Sequence, residues 1–142
     1  MSTSRSSAAT VAFVFLFALI MNANADQGEA STRTVVQDLR TEMISGYPGH
    51  ELNMITVEYP PGGGSKPHRH NAYVLVFVLE GALEMKLRGT PLVTVRAGES
   101  FVEHPEDVHE ISRNASQTER AKFLVVALKS TGQPLSMPVG SK

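Results

Sequence analysis

The sequence predicts an all-β fold, a sandwich or a barrel of seven or eight short strands. Short segments rich in Val, Leu, Ile and Phe recur at near-regular spacing, Gly and Pro residues separate them, and no window shows a sustained helical period. Strands of this kind, joined by tight turns, form facing sheets with one core between them. No internal repeat or low-complexity tract interrupts the pattern.

Each strand is predicted from its composition and from the turn residues that bound it. Segment 51–59 ends at two prolines and a glycine, and segment 73–79 is a continuous apolar run closed by Glu80-Gly81. Segment 82–88 alternates apolar and charged residues, which is typical of a strand with one buried face. Four further segments lie between turn residues and are predicted as strands: 92–96, 100–104, 108–113 and 122–129.

Segment 73–79 (YVLVFVL) also carries information about assembly. Its odd-numbered and even-numbered positions are both apolar, whereas a strand with one face in water alternates. One face must therefore pack on the core of the chain, and the other face needs a second covering. We expect a second copy of the chain to supply that covering, so the sequence predicts a homodimer.

The first 25 residues have the features of a secretory signal peptide. Arg5 precedes an apolar run at 11–21, and Ala23-Asn24-Ala25 follows as a small-x-small cleavage pattern. The run is too short to span a bilayer comfortably. We therefore expect cleavage after Ala25 and export to the periplasm or out of the cell, with no membrane attachment after cleavage.

The rest of the chain is predicted to form one domain, with a polar lead-in at 26–34, a barrel at 35–130 and a tail at 131–142. Cys is absent, so the exported domain is held together by packing and not by disulfides. Loss of Arg5 with the leader changes the formal net charge from −1 to −2. Because there is neither a basic surplus nor a basic cluster, nucleic acid is not expected as a partner.

Candidate metal ligands begin with His68 and His70, which follow a stretch rich in prolines and glycines. Residues two apart on a strand point to the same face. If these histidines open the strand that continues into Tyr73, their imidazoles converge on one point, which suits a metal ion. A metal site needs at least a third ligand, and His109, at the start of segment 108–113, is the best candidate.

The spacing of these residues resembles the two motifs of the cupin family. The first motif is matched by Gly62, His68, His70 and Gly81, and the second by Gly98, Val108, His109 and Asn114. The resemblance implies a small single-domain barrel, the jelly-roll-like double-stranded β-helix. It also implies one divalent metal, commonly held by two histidines and a glutamate of the first motif and a histidine of the second.

The chain departs from that pattern at the glutamate position, where Val74 stands. Val74 should point into the barrel but cannot coordinate a metal ion. If the loop before His109 spans 105–108, His104 faces the same way as His109, and if it spans 104–108, Glu103 does. His104 occupies the position of a proline in the cupin motif, which favours the longer loop and therefore Glu103. The remaining alternative is a site of three histidines alone.

The expected cofactor is one divalent transition metal, either Fe, Mn, Cu, Ni or Zn, because imidazole suits most of these ions and a carboxylate adds Mn. Cupins that lack the glutamate include dioxygenases, so the resemblance implies a small-molecule dioxygenase or a related metal-dependent oxidoreductase. A non-catalytic barrel that binds a sugar or an organic acid is the competing hypothesis. A purely structural domain that has lost its site is the third. In the first two cases the partner is a small molecule.

Overall fold

The computed structural model describes residues 32–140, and every regular element in this part of the chain is a β-strand. The strands are β1 (Val35–Met43), β2 (His50–Tyr59), β3 (His68–Arg69), β4 (Ala72–Glu80), β5 (Ala82–Leu87), β6 (Val93–Arg96), β7 (Ser100–Glu103), β8 (Val108–Asn114), β9 (Ala121–Ser130) and β10 (Met137–Pro138). Within the described residues, no helix is long and apolar enough to cross a membrane. The predicted leader, 1–25, lies outside them.

The strands form two five-stranded antiparallel sheets. The first sheet has the order β1-β2-β9-β4-β7, and the second has the order β10-β3-β8-β5-β6. Most neighbours are distant in sequence, so the chain crosses repeatedly between the sheets and winds both of them around one interior. The prediction of an all-β barrel is confirmed.

The core lies between the sheets and is built from alternate residues of each strand. In β4 the valines at 74, 76 and 78 are at most 2% exposed, while Tyr73, Leu75 and Phe77 face outwards. Strands β2 and β9 alternate in the same way and supply Ile55, Val57, Phe123 and Val125 to the same core. This period-two burial is what places side chains of different strands around a shared interior.

The prediction of one strand from His68 through Tyr73 is wrong, because one strand ends at Arg69 and the next begins at Ala72. His68 and Arg69 belong to the second sheet, and the strand that starts at Ala72 belongs to the first sheet. The residues between them form the corner at which the chain crosses from one sheet to the other. His68 and His70 therefore do not converge by alternation along one strand, and the corner itself brings them together.

Two strands of the described chain have no clear signal in the sequence. All nine residues of β1 are exposed, so its side chains show no alternation of apolar and polar types. The β10 strand has only two residues, one of them Pro138, within the predicted tail. Both are edge strands, and strands at the edge of a sheet have the weakest pattern of apolar and polar residues.

Asn114 ties together the loops at one end of the barrel. It is 1% exposed, its Nδ2 donates to the carbonyl oxygens of Pro60 at 3.0 Å and Glu119 at 2.7 Å, and its Oδ1 accepts from the Ser116 amide at 2.9 Å. The buried side chain thus has its own polar atoms satisfied and joins the backbone of three loop positions.

We expect Asn114→Ala to lower the free energy of unfolding by about 2–4 kcal/mol, because it removes three hydrogen bonds that a buried side chain makes to the backbone. Urea denaturation at fixed protein concentration measures the change. Gln117→Ala, an exposed position of the same turn, should change stability by less than about 0.5 kcal/mol. Equal stability of the two variants would show that the Asn114 network contributes little.

Candidate metal centre

Three histidines meet at one place in the barrel interior. His68 in β3 and His109 in β8 are direct cross-strand partners, and His70 follows β3 at the corner between the sheets. The ring centroid of His68 lies 4.9 Å from that of His70 and 5.2 Å from that of His109. One nitrogen of each ring lies within 4.8 Å of the others, so the group could hold a metal ion.

Backbone carbonyls fix the orientation of two of these rings. The Nδ1 of His68 donates to the Lys66 carbonyl at 2.8 Å, and the Nδ1 of His70 donates to the Leu135 carbonyl at 2.6 Å. A carbonyl accepts only from a protonated nitrogen, so the Nε2 of each ring keeps its lone pair. This is the usual arrangement of histidines that bind a metal, since the second nitrogen is held by an outer partner.

His68 is also held in its neutral form. Burial lowers the pKa of His68 below its ordinary value of 6.5, and the hydrogen bond to Lys66 only partly opposes this effect. The neighbouring rings of His70 and His109 lower the pKa further, while the Glu103 carboxylate raises it. Because a metal ion binds neutral imidazole, the burial of His68 favours binding at neutral pH.

Glu103 lies beside the three histidines. It is the cross-strand partner of Val74 in the first sheet and is 2% exposed. Its Oε2 lies 3.1 Å from the Nδ1 of His109 and 3.5 Å from the Nε2 of His70. A carboxylate from β7 thus enters the cavity next to the valine that stands at the glutamate position of the cupin motif.

His104 lies outside the cluster. Its side chain is largely exposed, its ring contacts Tyr73, and its Nδ1 lies 3.5 Å from Asp107 Oδ2. The loop before His109 spans 104–107, which is neither of the two loops weighed from the sequence. The hairpin argument was also wrong, because β7 and β8 belong to opposite sheets. Glu103 and His109 meet across the interior and not across a hairpin.

The buried atoms of this cluster lack the partners that such atoms normally have. Among the described residues, the buried side-chain atoms without a hydrogen bond are Glu103 Oε2 and both ring nitrogens of His109. The carboxylate and the ring are close but are not aligned for a hydrogen bond. Buried polar atoms are rarely left in this state, and a cation between them would satisfy the carboxylate and one nitrogen. The residues therefore fit a metal ion.

The cluster borders a cavity of about 830 Å³ between the sheets. Its walls are mainly apolar, with side chains from β2, β4 and β9 and from the segment after β9. Polar groups are concentrated around the histidines, with Ser65, Lys66 and Ser112 among them. A small number of polar groups in a mainly apolar cavity is typical of a small-molecule site.

We expect Glu103→Gln to weaken metal binding by about 10–100-fold, the loss that accompanies removal of a supporting group at a metal site. The amide keeps the size of the side chain but removes its charge. Dialysis against buffered Co²⁺ followed by elemental analysis measures the affinity. Glu110→Gln is the matched control, because Glu110 follows His109 in β8 and pairs at the surface with Lys86. Unchanged affinity in Glu103→Gln would remove Glu103 from the metal centre.

The Leu135 carbonyl is a contribution to this site that the sequence did not predict. It is a backbone group in a segment predicted as a tail, and no residue type marks it. A Pro- and Gly-containing sequence gives no information about where its carbonyls point.

Comparisons with known proteins agree with this geometry. A family model described as a cupin domain matches residues 55–127. A search among curated protein sequences found no match. Among solved structures, a cupin-like protein of Thermotoga maritima matches with a TM-score of 0.61 and 19% identity, covering 76% of this chain and 77% of that one.

Two of the similar structures are of enzymes. The DMSP lyase DddQ of Ruegeria pomeroyi matches with a TM-score of 0.60 and 19% identity, over 85% of this chain and 58% of that chain. An oxalate oxidase, in complex with the substrate analogue glycolate, matches with a TM-score of 0.57 and 27% identity, over 78% of this chain and 57% of that chain. The chain therefore spans little more than half of the length of either enzyme.

Proposed function

This chain belongs to the cupin family, and we propose that it is an exported metalloprotein that binds one divalent transition metal and oxidises a small organic acid. His68, His70 and His109 would hold the ion, with Glu103 as a further ligand. The observation that carries the proposal is the set of buried atoms without hydrogen bonds on Glu103 and His109, beside two histidines whose Nδ1 atoms are held by backbone carbonyls. Fe, Mn, Cu, Ni and Zn all suit such ligands.

The charge of the site favours an anionic ligand. Three neutral imidazoles and one carboxylate leave a divalent ion with one uncompensated positive charge. Lys66, an exposed residue that borders the same cavity, adds a second positive charge to its lining. In a mainly apolar cavity the charge of the ion attracts a carboxylate more strongly than it would in water, because the low dielectric constant strengthens the interaction. The oxalate oxidase with bound glycolate supports this class of ligand, small carboxylic and hydroxy acids.

The residues around the ion have separable roles in this proposal. When bound, the metal supplies redox and Lewis-acid chemistry. The carbonyls of Lys66 and Leu135 keep His68 and His70 in the tautomer that presents Nε2. The apolar walls, with Val74, Val76 and Val125 among them, exclude bulk water from the bound acid. Glu103 limits the positive charge of the site, so that the product anion is able to leave.

Elemental analysis of protein purified without a histidine tag is the first test. We expect close to one equivalent of a redox-active metal, and oxygen consumption when the loaded protein meets small acids such as oxalate or glycolate. Metal without oxygen consumption across a panel of small acids would contradict the oxidase activity but not the metal site. No metal after reloading with each of the five ions would contradict both.

A non-catalytic binding protein is the second candidate. The size of the cavity and its mainly apolar walls favour it, because they provide room and contact area for a ligand without any reactive group. Titration calorimetry with sugars and organic acids, before and after treatment with a chelator, distinguishes the metal-dependent oxidase from the binding protein. Saturable binding that survives removal of the metal would favour the binding protein.

Export rests on the leader at 1–25, with Arg5, the apolar run and the Ala23-Asn24-Ala25 pattern. If the leader is cleaved as proposed, the protein recovered from the exported fraction begins at Asp26. N-terminal sequencing of that fraction, beside the whole-cell fraction, is the measurement. A mature protein that still carries Arg5 would contradict cleavage.

Assembly into a homodimer is supported by the outer apolar face of the first sheet. We define this face by ten side chains: Leu52, Met54, Tyr73, Leu75, Phe77, Leu79, Val102, Leu124, Val126 and Leu128. Cross-strand pairing makes it continuous, since Leu75 lies between Val102 and Val126, and Val126 lies next to Met54. Six of the ten are between 38% and 54% exposed.

The size and charge of the face fit a second copy of the chain. With about 150–250 Å² for a large side chain, the six exposed members present roughly 500 Å² of apolar surface. The core and rim of a standard interface amount to about 800 Å² on each partner. Arg120 at the rim is already paired with Glu58 and Glu80 of its own chain.

A further inference from the structure

The segment that follows β9 lies across the cavity and is called the C-terminal strap here, residues 131–139. The turn into it is fixed by hydrogen bonds from the Thr131 amide to the Gly49 carbonyl at 3.0 Å and from the Gln133 amide to the Ser130 carbonyl at 3.2 Å. The strap then pairs with β3 through its short strand β10, with Pro138 opposite His68. It therefore crosses from the first sheet to the second at the end of the barrel that holds the histidines.

A buried ion pair anchors the start of the strap. The ammonium of Lys129 contacts the carboxylate of Glu51, and both residues are 8% exposed. The same ammonium donates to the Gln133 carbonyl at 2.7 Å. A buried pair with an additional hydrogen bond is held in one geometry, because breaking it would leave an uncompensated charge in the interior. The proposed function makes no use of this pair, yet the pair determines where the strap begins.

The strap reaches the metal ligands at two places: β10 pairs with β3 opposite His68, and the Leu135 carbonyl contacts the ring of His70. The Leu135 carbonyl accepts from His70 Nδ1 at 2.6 Å, while the Leu135 side chain packs against the core and lines the cavity. His68 and His109 are neighbours in a strand ladder, whereas His70 lies at the corner outside any ladder. The His70 ring therefore has no strand partner to orient it. Strand pairing fixes the positions of His68 and His109, and the strap fixes the orientation of His70.

We propose that the C-terminal strap is a positioning element of the metal centre, in which the Leu135 carbonyl sets the tautomer and the orientation of His70 and the Lys129–Glu51 pair holds the strap in place. The inference rests on the proposed metal-binding function. According to this inference, the Leu135 carbonyl affects the metal affinity directly, although the metal ligands lie much earlier in the sequence. The side chain of Leu135 contributes to the wall and not to the orientation of His70.

Co²⁺ alone is the probe that tests this proposal, because it reports both affinity and ligand geometry through its visible absorption spectrum. A chain that ends at Gln133 keeps the acceptor of Lys129 but lacks the Leu135 carbonyl and the strand β10. We expect it to bind Co²⁺ about 10–100-fold more weakly than the full chain, as outer partners of metal-bound histidines do when removed. Its Co²⁺ spectrum should differ from that of the full chain.

Two control variants test the residues after the strap and the side chain of Leu135. A chain that ends at Val139 keeps the whole strap and should match the full chain in affinity and spectrum. Leu135→Ala keeps the backbone carbonyl and should bind Co²⁺ within about threefold of the full chain, with the same spectrum. Circular dichroism shows whether each variant is folded.

If the chain that ends at Gln133 fails to fold, a pair of glycines inserted after Gln133 takes its place. That insertion keeps every side chain of the strap but moves the Leu135 carbonyl away from His70, and the same weakening is expected. Affinity and spectrum equal to those of the full chain, in either folded variant, would overturn the role of the strap while leaving the metal site intact. Failure of the full chain to bind Co²⁺ would overturn the proposed function and the inference together.

Discussion

The protein that carries both His68→Ala and His109→Ala is expected to contain no metal after purification and none after reloading. The two rings are cross-strand partners on β3 and β8, so their removal takes away one side of the cluster. His70 and Glu103 alone would offer two ligands, and stable transition-metal sites in proteins use at least three. The loss should exceed the 10–100-fold that outer partners contribute.

Elemental analysis and Co²⁺ titration of the double variant measure this loss. His104→Ala is the matched control, since His104 lies on the rim of the same region, with its side chain 63% exposed and its ring against Tyr73. It should keep the full metal content. Full metal occupancy in the double variant would place the metal elsewhere and would contradict the assignment of the site.

The second large effect concerns the outer apolar face of the first sheet. Phe77→Glu is expected to convert a dimer into a monomer and to raise the dissociation constant of the dimer by at least about 100-fold. The reason is that two carboxylates, one from each copy, would be buried near the centre of the interface without partners. The fold of each chain should be unaffected, because Phe77 points away from the core and is 39% exposed.

Sedimentation equilibrium over a range of protein concentrations measures the dissociation constant. Thr94→Glu is the control, because it adds the same charge at an exposed position of β6 in the other sheet. A wild-type protein that sediments as a monomer at all concentrations would contradict the dimer. A Phe77→Glu protein that stays dimeric would place the interface on another surface.

The strands that could be predicted from the sequence are those with a buried face. In β5 the apolar positions recur with period two because one side of the strand packs into the barrel, and β4 and β9 are continuous apolar runs of strand length. The exposed strand β1 has no such side, so its sequence resembles a loop. The corner between Arg69 and Ala72 was missed for a different reason. Alternation along the chain does not reveal the sheet to which each residue belongs.

Only part of the candidate site could be predicted from the sequence, namely the part that depends on side-chain identity and spacing. The spacing of His68, His70 and His109 identifies a known motif, and side-chain identity is visible in a sequence. The placement of Glu103 next to His109 depends on how two sheets face each other, which spacing along the chain does not determine. The Leu135 carbonyl is a backbone atom, and every residue has one.

The pairing of Val74 with Glu103 in the ladder has a consequence for the history of this site. Adjacent strands place the Cβ atoms of such a pair about 4.5–5.5 Å apart, so a carboxylate at either position projects into the same part of the cavity. Carboxylates at both positions would repel each other in this buried region. With a carboxylate at neither position, the charge of the metal ion would be less compensated. Across related chains, the two positions should therefore covary, with an acidic residue at one or at the other.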